Sequence, residues 1–370
     1  MPPTGRCKSC GKSTPATGIC RTMQACCPPG WQTGSAGSTP WITTSSELPA
    51  MPPARPDLPR ITVAMAAHDA ESFITAAIRS ALGQEHAAVS VVVADDASRD
   101  GTAGTVARIA ARDGRVSLIR CPVNLGPGGA RNLAFAAAED DWIAVLDSDD
   151  SFRPGRLARM HAHAQQQDAD IVIDDFISVD AAGQTLPGPG LAARHPAGVL
   201  DLADWLQLND MARAKLSFGY AKPLISRRFL AASGLRYNES LRNGEDFHLI
   251  LEALAAGARL YFTGETGYRY TRRAGSVSRR AQGDHMRALL AADKAVAARF
   301  SPAQHAAAAR PLAARRRNLQ NLITTEEVLA NLKARHPGAA AARLARHPGA
   351  LGRVTGHLAE ALRKRIGARG

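Results

Sequence analysis

Two hydrophobic periodicities alternate along residues 61–146. The unbroken apolar runs "ITVAMAA" (61–67) and "VSVVVA" (89–94) are rich in β-formers and read as buried strands. Between them Ile74, Ala77, Ile78, Ala81 and Leu82 recur at helical spacing, so residues 71–84 read as a helix, with Gly83 as a stop. The same reasoning predicts a helix over 102–112, a strand over 115–120, a helix over 128–138 and a strand over 142–146. Strands and helices alternating at this length predict right-handed βαβ units and an α/β fold, its mostly parallel sheet covered on both faces. Ligands of such sheets bind at the carboxyl ends of the strands.

Two acidic clusters fall at such ends. Asp95-Asp96 follow the second strand, and Asp147, Asp149 and Asp150 follow Val145-Leu146. Like charges repel, so three aspartates within four positions need either solvent or a positive partner. Two carboxylates two residues apart in a turn can hold one hard divalent cation, which in turn holds phosphate oxygens. The alternative is an acidic turn capping the next helix, with Asp150 or Ser151 ahead of Pro154. Dinucleotide and P-loop chemistry are excluded. The turn after the first strand, "AAHDAES", has no glycine, and the glycine-rich "NLGPGGARN" (124–132) follows the third strand and matches neither pattern.

"ITVAMAAHDAESFITAAIRSALGQ", "VVVADDASRDGT", "NLGPGGARNLA" and "WIAVLDSDD" resemble, in order and spacing, the nucleotide-sugar half of the inverting family 2 glycosyltransferases, which have the GT-A fold. The similarity covers roughly residues 60–280. The resemblance implies that Ala66 and Asp96 lie at the nucleobase, that Arg131 lies beside the nucleotide, and that Asp147 and Asp149 hold ribose, pyrophosphate and Mg²⁺ or Mn²⁺. At the first turn Ala66-Ala67-His68-Asp69 stand where many relatives carry a hydroxyl residue and Tyr-Asn, which leaves the nucleobase open. A cation at the aspartates would stabilise charge developing on a diphosphate leaving group.

Inverting transfer needs a base for the acceptor hydroxyl. In "SLRNGEDFHLILEALAAG" (240–257), Glu245 and Asp246 open a helix whose apolar stripe includes Phe247, Ile250, Leu251 and Leu254. A carboxylate pair at a helix start also suits the helix dipole. Its likeness to the family's Glu-Asp motif implies Asp246 as the base and Glu245 as its neighbour and acceptor contact. "YRYTRRAGSVSRR" (268–280), with Arg272 and Arg273, is either a basic loop near the diphosphate or an exposed hairpin. His161, His163 and His248 lack matched partners and read as surface or packing residues. Residues 211–230 mix apolar and basic side chains and are expected on the acceptor side, a saccharide or lipid-linked molecule.

Charge refines the outline. The formal net charge is +13, yet residues 301–370 carry 13 Lys and Arg against 3 Glu, and residues 51–300 are near neutral. A nucleic-acid-binding core is not expected. Five cysteines, Cys7, Cys10, Cys20, Cys26 and Cys27, crowd into the first 27 residues. Cys7 and Cys10 have zinc-ligand spacing, but the surrounding Gly, Pro, Ser and Thr lack periodicity, so residues 1–58 are expected to be a disordered or untranslated leader, with Met51 or Met65 as candidate starts. Residues 59–150 and 151–280 are the expected nucleotide-sugar and acceptor halves of the domain, and residues 281–370 a basic helical extension. Within it "ARHPGA" occurs twice, with Pro337 and Pro348 breaking helices. Val354, Leu358, Ala361, Leu362 and Ile366 share a face beside Arg363, Lys364 and Arg365, which suits an anionic membrane surface or a packing appendage. No apolar run is long enough for a membrane span, and the expected location is cytoplasmic, peripheral at the inner membrane face. A non-catalytic nucleotide-sugar-binding or scaffold subunit is the competing expectation.

Overall fold

A computed structural model describes residues 58–210, 216–272 and 283–367. Residues 1–57 of the expected leader, 211–215 of the expected acceptor stretch and 273–280 of the expected basic loop therefore lie outside the described residues. Four parallel strands, β1 (Arg60–Ala67), β2 (Ala88–Asp95), β3 (Val116–Arg120) and β4 (Trp142–Val145), alternate with helices α1 (Glu71–Leu82), α2 (Thr102–Ala110) and α3 (Gly126–Ala136). The central strand β1 pairs in register with β2 (Ile61 opposite Val89) and β4 (Ile61 opposite Trp142). Ile61, Val63, Ala64 and Met65 are fully buried, as a strand covered on both faces requires.

One predicted boundary moves. Helix α3 starts at Gly126, two residues ahead of the expected 128, because the Asp96 carboxylate accepts hydrogen bonds from the Leu125 and Gly126 amides (2.6 and 2.9 Å). A side chain remote in sequence thus satisfies the helix's first donors. The capping alternative for Asp150 and Ser151 fails. Ser151 lies in the short strand β5 (Ser151–Phe152), and helix α4 (Arg156–Gln166) starts after Gly155, which has φ 68° and offers no side-chain cap.

The sheet continues through β6 (Ile171–Val179), β7 (Gly198–Leu200), β8 (Leu224–Ser226) and β9 (Leu260–Thr271), with helices α5 (Leu202–Leu208), α6 (Arg227–Ser233) and α7 (Glu245–Ala255) around it. The strand order is β3-β2-β1-β4-β8-β6-β9-β5, with β7 on β9. Strand β8 runs antiparallel to β4, while β6 and β9 are parallel to each other. The start of β8 therefore meets the carboxyl end of β4: the Val145 amide donates to the Pro223 carbonyl (3.0 Å). This reversal of β8 against β4 delivers Lys222 to Asp147. Beneath it, fully buried Arg156 grips Asp174 with Nε and NH2 (2.8 and 2.7 Å) and donates to the Lys222 carbonyl (2.6 Å).

Beyond residue 283 the chain is helical: α8 (Gly283–Ala298), α9 (Pro302–Lys333, bent at His305), α10 (Pro337–Arg346) and α11 (Leu351–Gly367). Pro337 and Pro348 stand at helix starts, where a missing N–H costs nothing. Val296, Ala308 and Leu312 join the main core, and Met286, Leu289 and Leu319 pack with Leu241 ahead of α7. On α11 Val354 of the expected apolar face is buried against Val328 and Ala340, while Leu358 is 45% exposed and Ala361 is exposed.

Candidate active site

A cleft of about 960 Å³ crosses the carboxyl ends of β1, β2 and β4 and continues past β8 to α7. Ala66 and Asp96 line one end, Arg131, Asp147 and Asp149 the middle, and Lys222, Glu245 and Asp246 the region beyond. Every site residue expected from the sequence therefore lies on one cleft.

The middle is a network of buried charge. Arg131, on α3, has its guanidinium 2.5 Å from Asp147 Oδ1, 2.7 Å from Glu245 Oε1 and 3.2 Å from Asp246 Oδ1. Lys222 Nζ lies 2.7 Å from Asp147 Oδ2 and 2.5 Å from Asp246 Oδ2. The Tyr237 hydroxyl donates to Asp246 Oδ1 (3.0 Å), and the Arg131 guanidinium sits 5.3 Å from the centre of the Tyr237 ring. Two cations thus tie the strand-end aspartate to the helix-start pair, across 98 residues of sequence. Gly244 supplies the turn into α7 at φ 77°, a conformation few L residues adopt.

Among the described residues, three carboxylates, Asp147, Glu245 and Asp246, meet two cations, Arg131 and Lys222, with Asp149 and Asp150 close by. Burial opposes ionisation of Asp147, but Lys222 and Arg131 beside it outweigh burial and hold its carboxyl well below the usual range. The same carboxylates hold the Lys222 ammonium charged despite burial. Burial, and then Asp246 alongside, push Glu245 up in spite of Arg131. Burial, then repulsion from Asp147 and Asp149, push Asp150 far up, although it accepts from the Tyr268 hydroxyl (2.7 Å) and the Thr271 amide (2.7 Å). A cation placed among these carboxylates would relieve the repulsion that raises Asp150.

Asp147, Asp149 and Asp150 each present a carboxylate oxygen within 4.8 Å of the others. An all-oxygen, carboxylate donor set suits a hard divalent ion. Asp150 is an addition to the Asp147–Asp149 pair expected from the sequence.

At the other end, the Asp96 carboxylate is committed to the α3 amides, and burial raises it against those hydrogen bonds. His68 Nδ1 sits 2.8 Å from the Asp96 carbonyl oxygen. Nearby Cys121 is buried, and burial followed by Asp96 and Asp95 pushes its thiol up to about 12, so it is inert.

Three features escape the sequence reading. Lys222 looks like one more basic residue in a mixed stretch, and only the reversed strand β8 reveals its partners. Tyr237 carries no local signal either. The third is a buried contact beneath the helix start: His248 Nε2 lies 3.0 Å from Asp293 Oδ1, and Arg315 Nε lies 3.0 Å from Asp293 Oδ2, with the Arg315 guanidinium 3.9 Å from the Phe247 ring centre. The residues immediately after Glu245-Asp246 are thereby held by α8 and α9, and Arg315, Leu289 and His285 reach the cleft wall. His248 is a packing residue, as are His161, edge-on to Trp142, and His163, 3.0 Å from Glu265. Arg272 donates to the Ser178 hydroxyl (3.2 Å); Arg273 lies outside the described residues.

The family model Glycosyl transferase family 2 matches residues 62–204. The succinoglycan biosynthesis protein ExoO of Rhizobium meliloti (strain 1021) is 44% identical over 252 residues, covering 68% of this chain and 71% of that protein. ExoU of the same organism, also a succinoglycan biosynthesis protein, is 36% identical over 242 residues, covering 64% and 69%. Among solved structures, S. aureus TarS 1-349 in complex with UDP-GlcNAc superposes with a TM-score of 0.53 at 18% identity, covering 76% of this chain and 89% of that one, a likeness of fold. The chain belongs to glycosyl transferase family 2. It is a glycosyltransferase with the mostly parallel α/β architecture of the GT-A fold and a helical C-terminal region.

Proposed function

We propose that the enzyme moves a sugar, with inversion, from a nucleoside-diphosphate sugar to a hydroxyl of a saccharide or lipid-linked acceptor in the assembly of a cell-surface polysaccharide. The observation that carries this reading is the convergence of Asp147, Arg131, Lys222, Glu245 and Asp246 at one point of the cleft. The succinoglycan biosynthesis relatives support the setting, and the UDP-GlcNAc complex of a structure with the same fold supports the donor class.

The nucleotide lies over Ala66 and Asp96, with its diphosphate toward Asp147. Asp147 and Asp149, joined by Asp150, are the residues that would hold Mg²⁺ or Mn²⁺. When bound, the ion supplies positive charge against the diphosphate oxygens and so stabilises the leaving group. Arg131 and Lys222 add fixed positive charge in a water-poor place where it counts most. Asp246 takes the proton of the acceptor hydroxyl as that oxygen attacks the anomeric carbon from the face opposite the diphosphate. Tyr237 and Lys222 fix the orientation of Asp246, and Glu245 contacts the acceptor.

The catalytic unit runs over residues 59–280, as nucleotide-sugar and acceptor halves meeting at 150/151, and residues 281–370 are its extension. Arg343, Arg346, Arg353 and Arg363, with exposed Leu351 and Leu358, support adhesion of that extension to an anionic membrane surface. No helix among the described residues is long and apolar enough to cross a membrane. The test is a screen of nucleotide-sugars by thermal shift with and without Mn²⁺. A Mn²⁺-dependent rise with one class of donor is expected, and no response to any donor overturns the reading. Co-sedimentation with phosphatidylglycerol vesicles, lost on truncation at residue 336, tests the membrane contact.

A further inference from the structure

Past the carboxylates the cleft acquires an aromatic floor. Tyr220 and Tyr270 both line it, and their ring centres are 5.6 Å apart at 60°. Both rings also meet buried Phe176, at 6.3 and 5.7 Å. A purely structural trio would be buried throughout, yet both tyrosines are only half-buried on the cleft side of Phe176.

Their position follows from the strands. Tyr220 precedes Lys222 by two residues, in the turn that feeds β8. Tyr270 lies two residues beyond Tyr268 on β9, and so on the same face, one strand repeat of about 7 Å further along. The Tyr268 hydroxyl accepts from the Asp147 amide (3.2 Å) and donates to Asp150. The rings are therefore anchored to the same strand ends as the charged cluster, but on the β8–β9 side. Ala66 and Asp96, at the nucleotide end, lie on the opposite side of β4 in the sheet order. Leu289 and Arg315 complete the lining beside Phe247.

We propose that Tyr220 and Tyr270 are the seat of the accepting sugar. A pyranose ring lays one C–H face on the electron-rich tyrosine faces, and this turns a rim hydroxyl toward Asp246. The proposal rests on the reading of Asp246 as the base. Its ligand class is a saccharide with an apolar ring face, and the rings, not the phenol hydroxyls, do the recognising.

Saturation-transfer NMR tests it, with protein aromatic protons irradiated and methyl β-D-glucopyranoside and methyl β-D-galactopyranoside as probes on the full chain. Calorimetry of UDP with Mn²⁺ is the control for the donor end. Transfer to the ring C–H protons of at least one glycoside is expected in the parent. Tyr220→Ala and Tyr270→Ala should weaken glycoside binding about 3- to 10-fold, the size of one aromatic contact. Tyr220→Phe and Tyr270→Phe should stay close to the parent, and UDP binding should be near the parent's in all four. Absence of saturation transfer in the parent overturns the platform. So do unchanged glycoside binding in both alanine variants, phenylalanine variants that behave like alanine, and loss of UDP binding in the tyrosine variants. A parent that binds neither UDP nor any other nucleoside diphosphate overturns the donor reading instead.

Discussion

The ammonium of Lys222 lies 2.5 Å from Asp246 Oδ2, and both side chains are at least nine-tenths buried. The same ammonium holds Asp147, so one lysine joins the strand end to the helix start. Removing it leaves buried Asp246 and partly buried Asp147 with Arg131 as their remaining cation among the described residues. Lys222→Ala should therefore lower unfolding free energy by about 3 kcal/mol, in the range for breaking a buried ion pair. Lys222→Arg restores the charge with a different shape and should recover part of the loss. Urea unfolding of the three proteins checks this. Equal midpoints for Lys222→Ala and the parent would mean the contact does not form in solution.

Asp149→Asn tests the cation site. It removes one charge from the Asp147, Asp149 and Asp150 group while Asp147 keeps Arg131 and Asp150 keeps Tyr268 and Thr271. Mn²⁺-dependent UDP binding should fall by at least tenfold, a loss of about 1.4 kcal/mol or more. Calorimetry with and without Mn²⁺ decides it; undiminished Mn²⁺-dependent binding removes Asp149 from the site.

Asp150 makes a pH prediction. Its folded pKa is raised, first by burial and then by Asp147 and Asp149. A carboxyl raised on folding binds its proton more tightly in the folded state. It therefore contributes stability below its unfolded pKa of about 3.9 and loses it as pH rises through the folded value. Asp150→Asn abolishes that titration. In chelator, the parent should lose more stability than the variant as pH rises from 4 toward neutrality. Saturating Mn²⁺ should reverse the order at neutral pH, because a ligand bound only to the folded state stabilises it by mass action. Melting curves across pH, in chelator and in Mn²⁺, read both signs.

The alternation of β1–β4 with α1–α3 is legible in the sequence because buried parallel strands are continuous apolar runs and their helices keep a 3.6-residue period. Asp147 and Asp149 are legible for the same reason: the strand they terminate fixes the end of the sheet they occupy. Lys222 is not, since its meaning depends on β8 running against its neighbours, and a three-residue strand has no periodicity to announce its direction. The clamp of Asp293 and Arg315 under Phe247-His248 is hidden in an alanine- and arginine-rich region whose composition resembles a solvated appendage. Charges in such a region read as surface until the helices are placed. Asp150, a candidate helix cap by sequence, finds its partners 118 and 121 residues away on β9.

Asp246→Asn separates binding from chemistry. The acceptor proton is transferred only in the transition state, so a base contributes to rate and little to donor affinity. Asparagine keeps the size of the side chain and can still accept from Tyr237 at its carbonyl oxygen, but it cannot take the proton. Transfer should fall by about 10²- to 10⁴-fold, the range for a lost general base. UDP with Mn²⁺ should bind with near-parental affinity, because Asp147 and Asp149 are untouched. Lys222 then retains Asp147 as its anion, which limits the structural damage. Glu245→Gln loses one charged contact to Arg131 and should be milder, weakening chiefly the acceptor. Transfer rate and UDP affinity are measured on both variants. Parental activity in Asp246→Asn removes it as the base, whereas loss of UDP binding together with activity makes Asp246 a carboxylate that holds the site's structure.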